Sequence, residues 1–224
     1  MDFSTLDLGQ EATHAHTSAW VASTLRRQIA EGQLLPGTKL SEQVLAQALG
    51  VSRNTLREGF TLLDSELIIT RIPNRGVFVA SPTADDVREI YAVRRTVEPA
   101  AAAWGSTLDL STLRDIVETA RSAQRNGDVP GMAGANQRFH ELLVASSGSS
   151  LLGELMGRVL ARMRLVFHAM RDAPDFHTHY VQGNAHVLEL LEAGKRLEAA
   201  EALRRYLDTA EAELLEHLRA AQEN

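Results

Sequence analysis

The chain contains no cysteine, which excludes disulfide frameworks, thiolate metal sites and cysteine nucleophiles. No apolar run approaches the roughly 18 residues that a membrane-spanning helix needs. The first ten residues, MDFSTLDLGQ, lack the basic stretch and apolar core of a secretory signal, so the cytoplasm is the expected compartment. No glycine-rich phosphate loop, internal repeat or low-complexity segment stands out. An excess of positive charge is also missing. The net charge is −6, which argues against a general nucleic-acid binder. Residues 1–80 carry seven basic and eight acidic side chains, and the remainder carries 16 and 21. Any DNA reading therefore rests on where a few arginines sit.

What is present is an ordinary globular composition, 44% hydrophobic and 23% charged, over 224 residues. That length suits two domains, each with its own core. Two sequence styles meet near residue 81. Residues 1–16 show no clear periodicity and read as a flexible N-terminal arm. Thr17 or Ser18 caps a helix running to about Glu31, with Trp20, Val21, Leu25 and Ile29 along one stripe, and Gly32 ends it. Ser41 then caps a short helix from Glu42 to Leu49, closed by Gly50, and Ser52 at once caps another from Arg53 to about Ser65. Two caps separated by one short glycine-containing turn have the spacing of a helix-turn-helix. The β-prone segments 67–71 and 76–79 flank the turn Pro73-Asn74-Arg75-Gly76, which makes a hairpin wing. Residues 17–80 are thus expected to form a winged helix-turn-helix.

From Ser81-Pro82-Thr83 onward the pattern is helical. Thr83 with Asp86 resembles a capping box. Six helices are expected, at about 84–104, 109–126, 130–146, 150–171, 176–193 and 195–221, with one break at Pro174. The fold class is mainly α: a winged helix-turn-helix followed, over 81–224, by an all-helical ligand-binding and dimerisation domain.

The second helix of the helix-turn-helix offers Arg53, Asn54, Thr55 and Arg57 within its first turn and a half, behind Ser52. A recognition helix enters the major groove with its N-terminal residues against base edges. Arginine suits bidentate contact with guanine and asparagine with adenine, while hydroxyls hold phosphates. Arg75 at the wing tip has the reach for a minor groove or a phosphate chain; Lys39 and Arg71 are lesser phosphate candidates. The competing reading is that these cations only solvate a surface.

These residues carry a resemblance. Leu25-Arg-Arg-Gln-Ile-Ala-Glu-Gly32, Leu35-Pro-Gly-Thr-Lys-Leu-Ser-Glu42, Leu49-Gly-Val-Ser-Arg-Asn-Thr-Leu-Arg-Glu58 and Arg75-Gly-Val-Phe-Val79 are similar to the GntR family of bacterial transcription regulators. The resemblance implies a homodimer on an inverted-repeat operator of double-stranded DNA, with Arg53 and Arg57 among the contacts. Gln43 stands where many members have an operator-touching arginine. Gly59 stands where alanine is usual, a change costing the helix up to about 1 kcal/mol.

The second half resembles the FCD-type effector domain of the FadR subfamily, in its six-helix, VanR-like form. The carrying residues are Ile90-Tyr-Ala-Val-Arg-Arg-Thr-Val-Glu-Pro99, Asn136-Gln-Arg-Phe-His-Glu-Leu142 and the pattern around Gly194, Ala199-Ala200 and Tyr206-Leu207. Many such domains hold a divalent metal, zinc or nickel, with an Asp and three His, and the metal helps to hold a small carboxylate. Here Asn136 matches the Asp, His140 the first His, Asn184 the second and Tyr206 the third. Carboxamide oxygen and phenol are poor ligands for zinc-like ions. His186 is an alternative ligand beside His140, but two residues on a helix are about 200° apart, so it and Asn184 cannot share one face. The set reads instead as a hydrogen-bonding effector pocket of Asn136, His140, Asn184 and Tyr206, with Arg94 to pair an acid; a satisfied polar core is the plain alternative. His177 and His179 are expected at the surface, and Trp104 as packing at a helix end.

The function expected is a ligand-responsive transcription regulator, a repressor in the commoner family mode, rather than an enzyme. The rival readings are an all-α enzyme with His140 as general base and a winged-helix protein-interaction module.

Overall fold

The computed structural model describes residues 17–169 and 174–223; the expected arm over 1–16 lies outside them. Nine helices and three strands are found among the described residues. They fall into two compact units, Met1–Pro82 with Arg164–His168, and Thr83–Met163 with Ala169–Asn224.

In the first unit α1 spans Ser18–Ala30, capped by the Thr17 side chain, which accepts from the Trp20 backbone N–H. Strand β1 is Lys39–Leu40, α2 is Glu42–Leu49 and α3 is Arg53–Ser65. Gly50 closes α2 at φ 64°, a left-handed conformation that glycine adopts without a Cβ clash. Ser52 then opens α3 by accepting from the Thr55 N–H at 3.0 Å. Leu56, Phe60 and Leu63 recur at three-to-four spacing and are fully buried, together with Val21, Leu25 and Leu45.

Strands β2 (Ile69–Ile72) and β3 (Gly76–Val79) form the expected hairpin, with Thr70 opposite Phe78. β1 was not expected. It adds to the other edge of β3, giving the order β1-β3-β2 with Lys39 opposite Phe78. A two-residue strand carries no alternation by which it can be recognised.

Gly59 has a structural reason. A Cβ there would lie 2.6 Å from Val21 Cγ1 and 3.2 Å from the Ser18 carbonyl oxygen. The propensity lost in α3 is therefore the condition for α1 and α3 to approach closely.

The second unit holds α4 (Ala84–Trp104), α5 (Leu110–Arg125), α6 (Val129–Ala145), α7 (Ser150–Ala169, apart from Arg164–His168), α8 (Pro174–Glu192) and α9 (Arg196–Glu223). The capping box at α4 is complete, with Thr83 and Asp86 each satisfying the other's backbone N–H. α4 packs on α9 and α6, α5 on α6 and α8, and α8 on α9. Ile90, Tyr91, Leu113, Phe139, Leu143, Leu203 and Leu207 close the core between them.

α7 and α8 are separate helices, as expected, and Pro174 begins the second of them, where its missing N–H falls in the first turn. Two expectations need correction. His177 is 2% exposed, on the face of α8 that turns inward, and His179, two residues or about 200° further on, stays at the surface. Trp104 is 76% exposed and packs little at its helix end.

Candidate functional site

Two groups of side chains stand out, one in each unit. On α3, Ser52, Arg53, Asn54 and Arg57 are exposed and Thr55 is half-buried. The Ser52 and Thr55 hydroxyls lie 2.8 Å apart and share a hydrogen. No described residue pairs with Arg53. Arg57 is held: its Nε donates to Glu42 Oε2 at 2.9 Å. Asn54 Nδ2 likewise donates to Glu58 Oε1 at 3.1 Å. Both carboxylates escaped the sequence reading. The Asn54–Glu58 pair was visible at its four-residue spacing, whereas Glu42 and Arg57 are 15 residues apart.

Gln43 is exposed on α2, next to Glu42. Arg75 lies at the exposed turn between β2 and β3, with its guanidinium carbon 6.0 Å from the Phe78 ring centroid. Lys39 Nζ stands 5.9 Å from the same ring. Arg71 is committed elsewhere, pairing with Asp64 at 3.4 Å and reaching Thr61 Oγ1 at 3.3 Å.

The second group is buried among α4, α6, α8 and α9, and its centre is the Asn136 carboxamide. Asn136 Oδ1 accepts from Asn184 Nδ2 at 2.8 Å and from the Tyr206 hydroxyl at 3.0 Å. His140, one turn along α6, places Nε2 3.2 Å from the same oxygen. Its other nitrogen, Nδ1, lies 2.7 Å from Glu98 Oε2. Glu98 Oε1 in turn accepts from Arg94 Nε at 2.6 Å. The His140 and Tyr206 rings stack, with centroids 5.8 Å apart and planes 9° apart. Asn136, His140, Asn184 and Arg94 thus meet in one place with Tyr206. Glu98, the residue that ties Arg94 to His140, was missed, although its spacing from Arg94 is that of a helical ion pair.

The electrostatics assign the protons. Burial would raise the Glu98 carboxyl, but Arg94 and His140 outweigh it and hold it at about 2. Burial pushes His140 below its ordinary value despite Glu98, so the imidazole is neutral at neutral pH. Burial lifts the Tyr206 phenol well above its ordinary value, so it remains a donor. The ring thus spans Asn136 Oδ1 on its Nε2 side and Glu98 on its Nδ1 side. Arg94 Nη2 and Asn184 Oδ1 are buried without a hydrogen bond. The cluster therefore presents an unfilled carboxamide acceptor and an unfilled cationic donor.

The residues do not fit a divalent metal. His140 is the sole member of the cluster's central four that is a preferred ligand. Among the described residues no three His, Cys, Asp or Glu side chains are grouped as an ion needs. His186 does not repair the set: its side chain is 61% exposed and faces Glu189 at 3.8 Å. It lines a surface groove with Arg121, Gln124 and Gln182, on the side of α8 that its 200° offset from Asn184 dictates.

Two family models match the chain. One, described as bacterial regulatory proteins of the gntR family, covers residues 17–79, and the other, the FCD domain, covers residues 89–209. The chain belongs to the GntR family and carries its FCD domain. A GntR regulator from Rhodococcus sp. RHA1 is similar in structure, with a TM-score of 0.83 and 39% identity over 88% of this chain and 97% of that one. An uncharacterised HTH-type transcriptional regulator of Agrobacterium vitis is 32% identical over 54% of this chain and 75% of its own length. The gluconate operon transcriptional repressor of Bacillus licheniformis is 32% identical over 62% of this chain and 59% of its own. These families and relatives are transcription regulators, not enzymes, which sets aside His140 as a general base. Among the described residues no helix is long and apolar enough to cross a membrane.

Proposed function

We propose that this GntR-family regulator is a cytoplasmic, ligand-responsive repressor that binds an inverted-repeat operator as a homodimer and senses a small carboxylate in its FCD domain. The observation that carries the DNA half is the exposed opening of α3. Ser52, Arg53, Asn54, Thr55 and Arg57 crowd one and a half turns behind a hydroxyl cap, at the end of the helix that a helix-turn-helix presents to the major groove. Free N–H groups and the positive helix end add phosphate affinity there. Gln43 on α2 and Arg75 on the wing flank that reading.

The effector half is supported by the unfilled valences of the buried cluster. Arg94 Nη2 suits one carboxylate oxygen, and Asn184 Oδ1 suits a hydroxyl donor beside it. An occupant there would bear on α4, α6, α8 and α9 together, and so would bias the placement of the two winged helices on their half-sites.

The test is a gel shift on the DNA upstream of the protein's own gene, run as a salt series against random DNA of equal length. Arg53→Ala should weaken operator binding about 5- to 150-fold, the equivalent of about 1–3 kcal/mol. Equal binding of both DNAs by parent and variant would exclude α3 as the reader and favour the protein-interaction module. A panel of small carboxylates added to the parent complex tests the effector half, with release of operator as the expected result.

A further inference from the structure

We propose that Asn136, Asn184 and Tyr206 form a protein-only hydrogen-bond hub in the place of the divalent metal of related FCD domains, so that this effector unit is assembled without an ion. The inference rests on the site being the effector pocket, and three independent features of that site carry it.

The first is the direction of the hydrogen bonds. In a metal site the ligands aim lone pairs at one point, and a cation is needed to reconcile them. Here one acceptor, Asn136 Oδ1, receives two donors, Asn184 Nδ2 at 2.8 Å and the Tyr206 hydroxyl at 3.0 Å. The set is already reconciled, and an ion would have to displace both donors to reach the carboxamide oxygen.

The second is space. A Cβ on Gly183 would fall 2.8 Å from Tyr206 Cδ2 and 2.9 Å from Cε2, closer than side-chain packing allows. The phenol therefore reaches the hub because α8 carries no side chain at 183. Gly183 on α8 and Tyr206 on α9 thus fit each other.

The third is charge. Arg94 and Glu98 are 1% and 0% exposed and pair with each other. The buried charges balance as they stand. Two further positive charges would be uncompensated where water cannot reach, which is costly.

The experiment uses the full chain purified without chelator, analysed for bound metal and then melted with zinc, nickel or EDTA. The native protein should carry substoichiometric metal and keep the same Tm in all three. The triple variant Asn136→Asp, Asn184→His, Tyr206→His, which restores the ligand set, should bind one zinc per chain. Its Tm should rise by about 5–10 °C at zinc near 100 times its Kd. Stoichiometric zinc or nickel in the native protein, or a lower Tm in EDTA, overturns the proposal. So does a folded triple variant that takes up no metal. If the triple variant does not fold, the native measurements decide alone. Carboxylate release of operator, measured in EDTA, fails or succeeds separately and so distinguishes this proposal from the effector reading.

Discussion

The Arg94–Glu98 pair offers a direct measure of how the effector unit is held together. The perturbation is Glu98→Gln, which preserves shape and removes one charge. In the native protein the Arg94 guanidinium is 1% exposed and its charge is met by a carboxylate 2.6 Å away. Removing one partner of a buried pair typically costs about 3–5 kcal/mol, because the remaining charge stays buried without compensation. The low end applies here. A glutamine oxygen still accepts from Arg94 Nε, and His140 Nδ1 can accept from the new amide while Nε2–H donates to Asn136 Oδ1. The expected loss is therefore about 3 kcal/mol. It would be read from urea unfolding of the full chain by helical circular dichroism, since six of the nine described helices lie in the second unit. Replacing both residues, Arg94→Met with Glu98→Leu, should recover most of the loss, as apolar substitutes for buried ion pairs do. A loss below about 1 kcal/mol for Glu98→Gln alone would show that water reaches the pair, and the argument from burial would fail.

Acid should unfold the protein through the same residues. Glu98 is held at about 2 against an ordinary 4.5, so its contribution is complete above pH 4.5 and drains as the pH falls toward 2. His140 also lies below its ordinary 6.5, so its contribution is complete above that value and is lost on further acidification. Both signs agree, and the urea midpoint should fall steadily below about pH 6.5; a rise between 6.5 and 5 would refute a neutral, buried His140. Gly59→Ala should destabilise the first unit by about 1–2 kcal/mol in thermal unfolding, because overpacking against Val21 and the Ser18 carbonyl outweighs the gain of up to about 1 kcal/mol in helix propensity. A higher Tm for that variant would show that α1 yields easily.

The helices were legible because their signals are local. Caps at Thr17, Ser52 and Thr83 and closures at Gly32 and Gly50 each act within one turn, and apolar residues recur with the helical period. What the sequence hides is mutual arrangement. β1 is two residues long and acquires meaning from its pairing with β3. His177 and His179 look alike in sequence, and the packing of α8 decides which one is buried. Gly59 reads as a defect until Val21 is placed 2.6 Å from its missing Cβ. In the buried cluster, Asn136 and His140 are one turn apart and readable as a pair, whereas Asn184 and Tyr206 joined them through family resemblance alone. Glu98 went unread because an arginine four residues from a glutamate is usually a surface pair, and nothing local marks this one as buried.

Arg57 shows why the same limit bears on function. Its place on α3 makes it a candidate for the operator, yet in the free protein Glu42 holds it at 2.9 Å. The pair does not count against a DNA role. Both side chains are partly in water, at 60% and 30% exposure, and exposed ion pairs are worth less than about 1 kcal/mol. A bidentate guanine contact discriminates by about 1–3 kcal/mol, so the exchange from carboxylate to base runs downhill. The carboxylate left behind would face the phosphates at some cost. That cost applies to any DNA, whereas the guanine contact applies to the right one, so on the proposed reading selectivity comes from the guanine contact and not from Glu42.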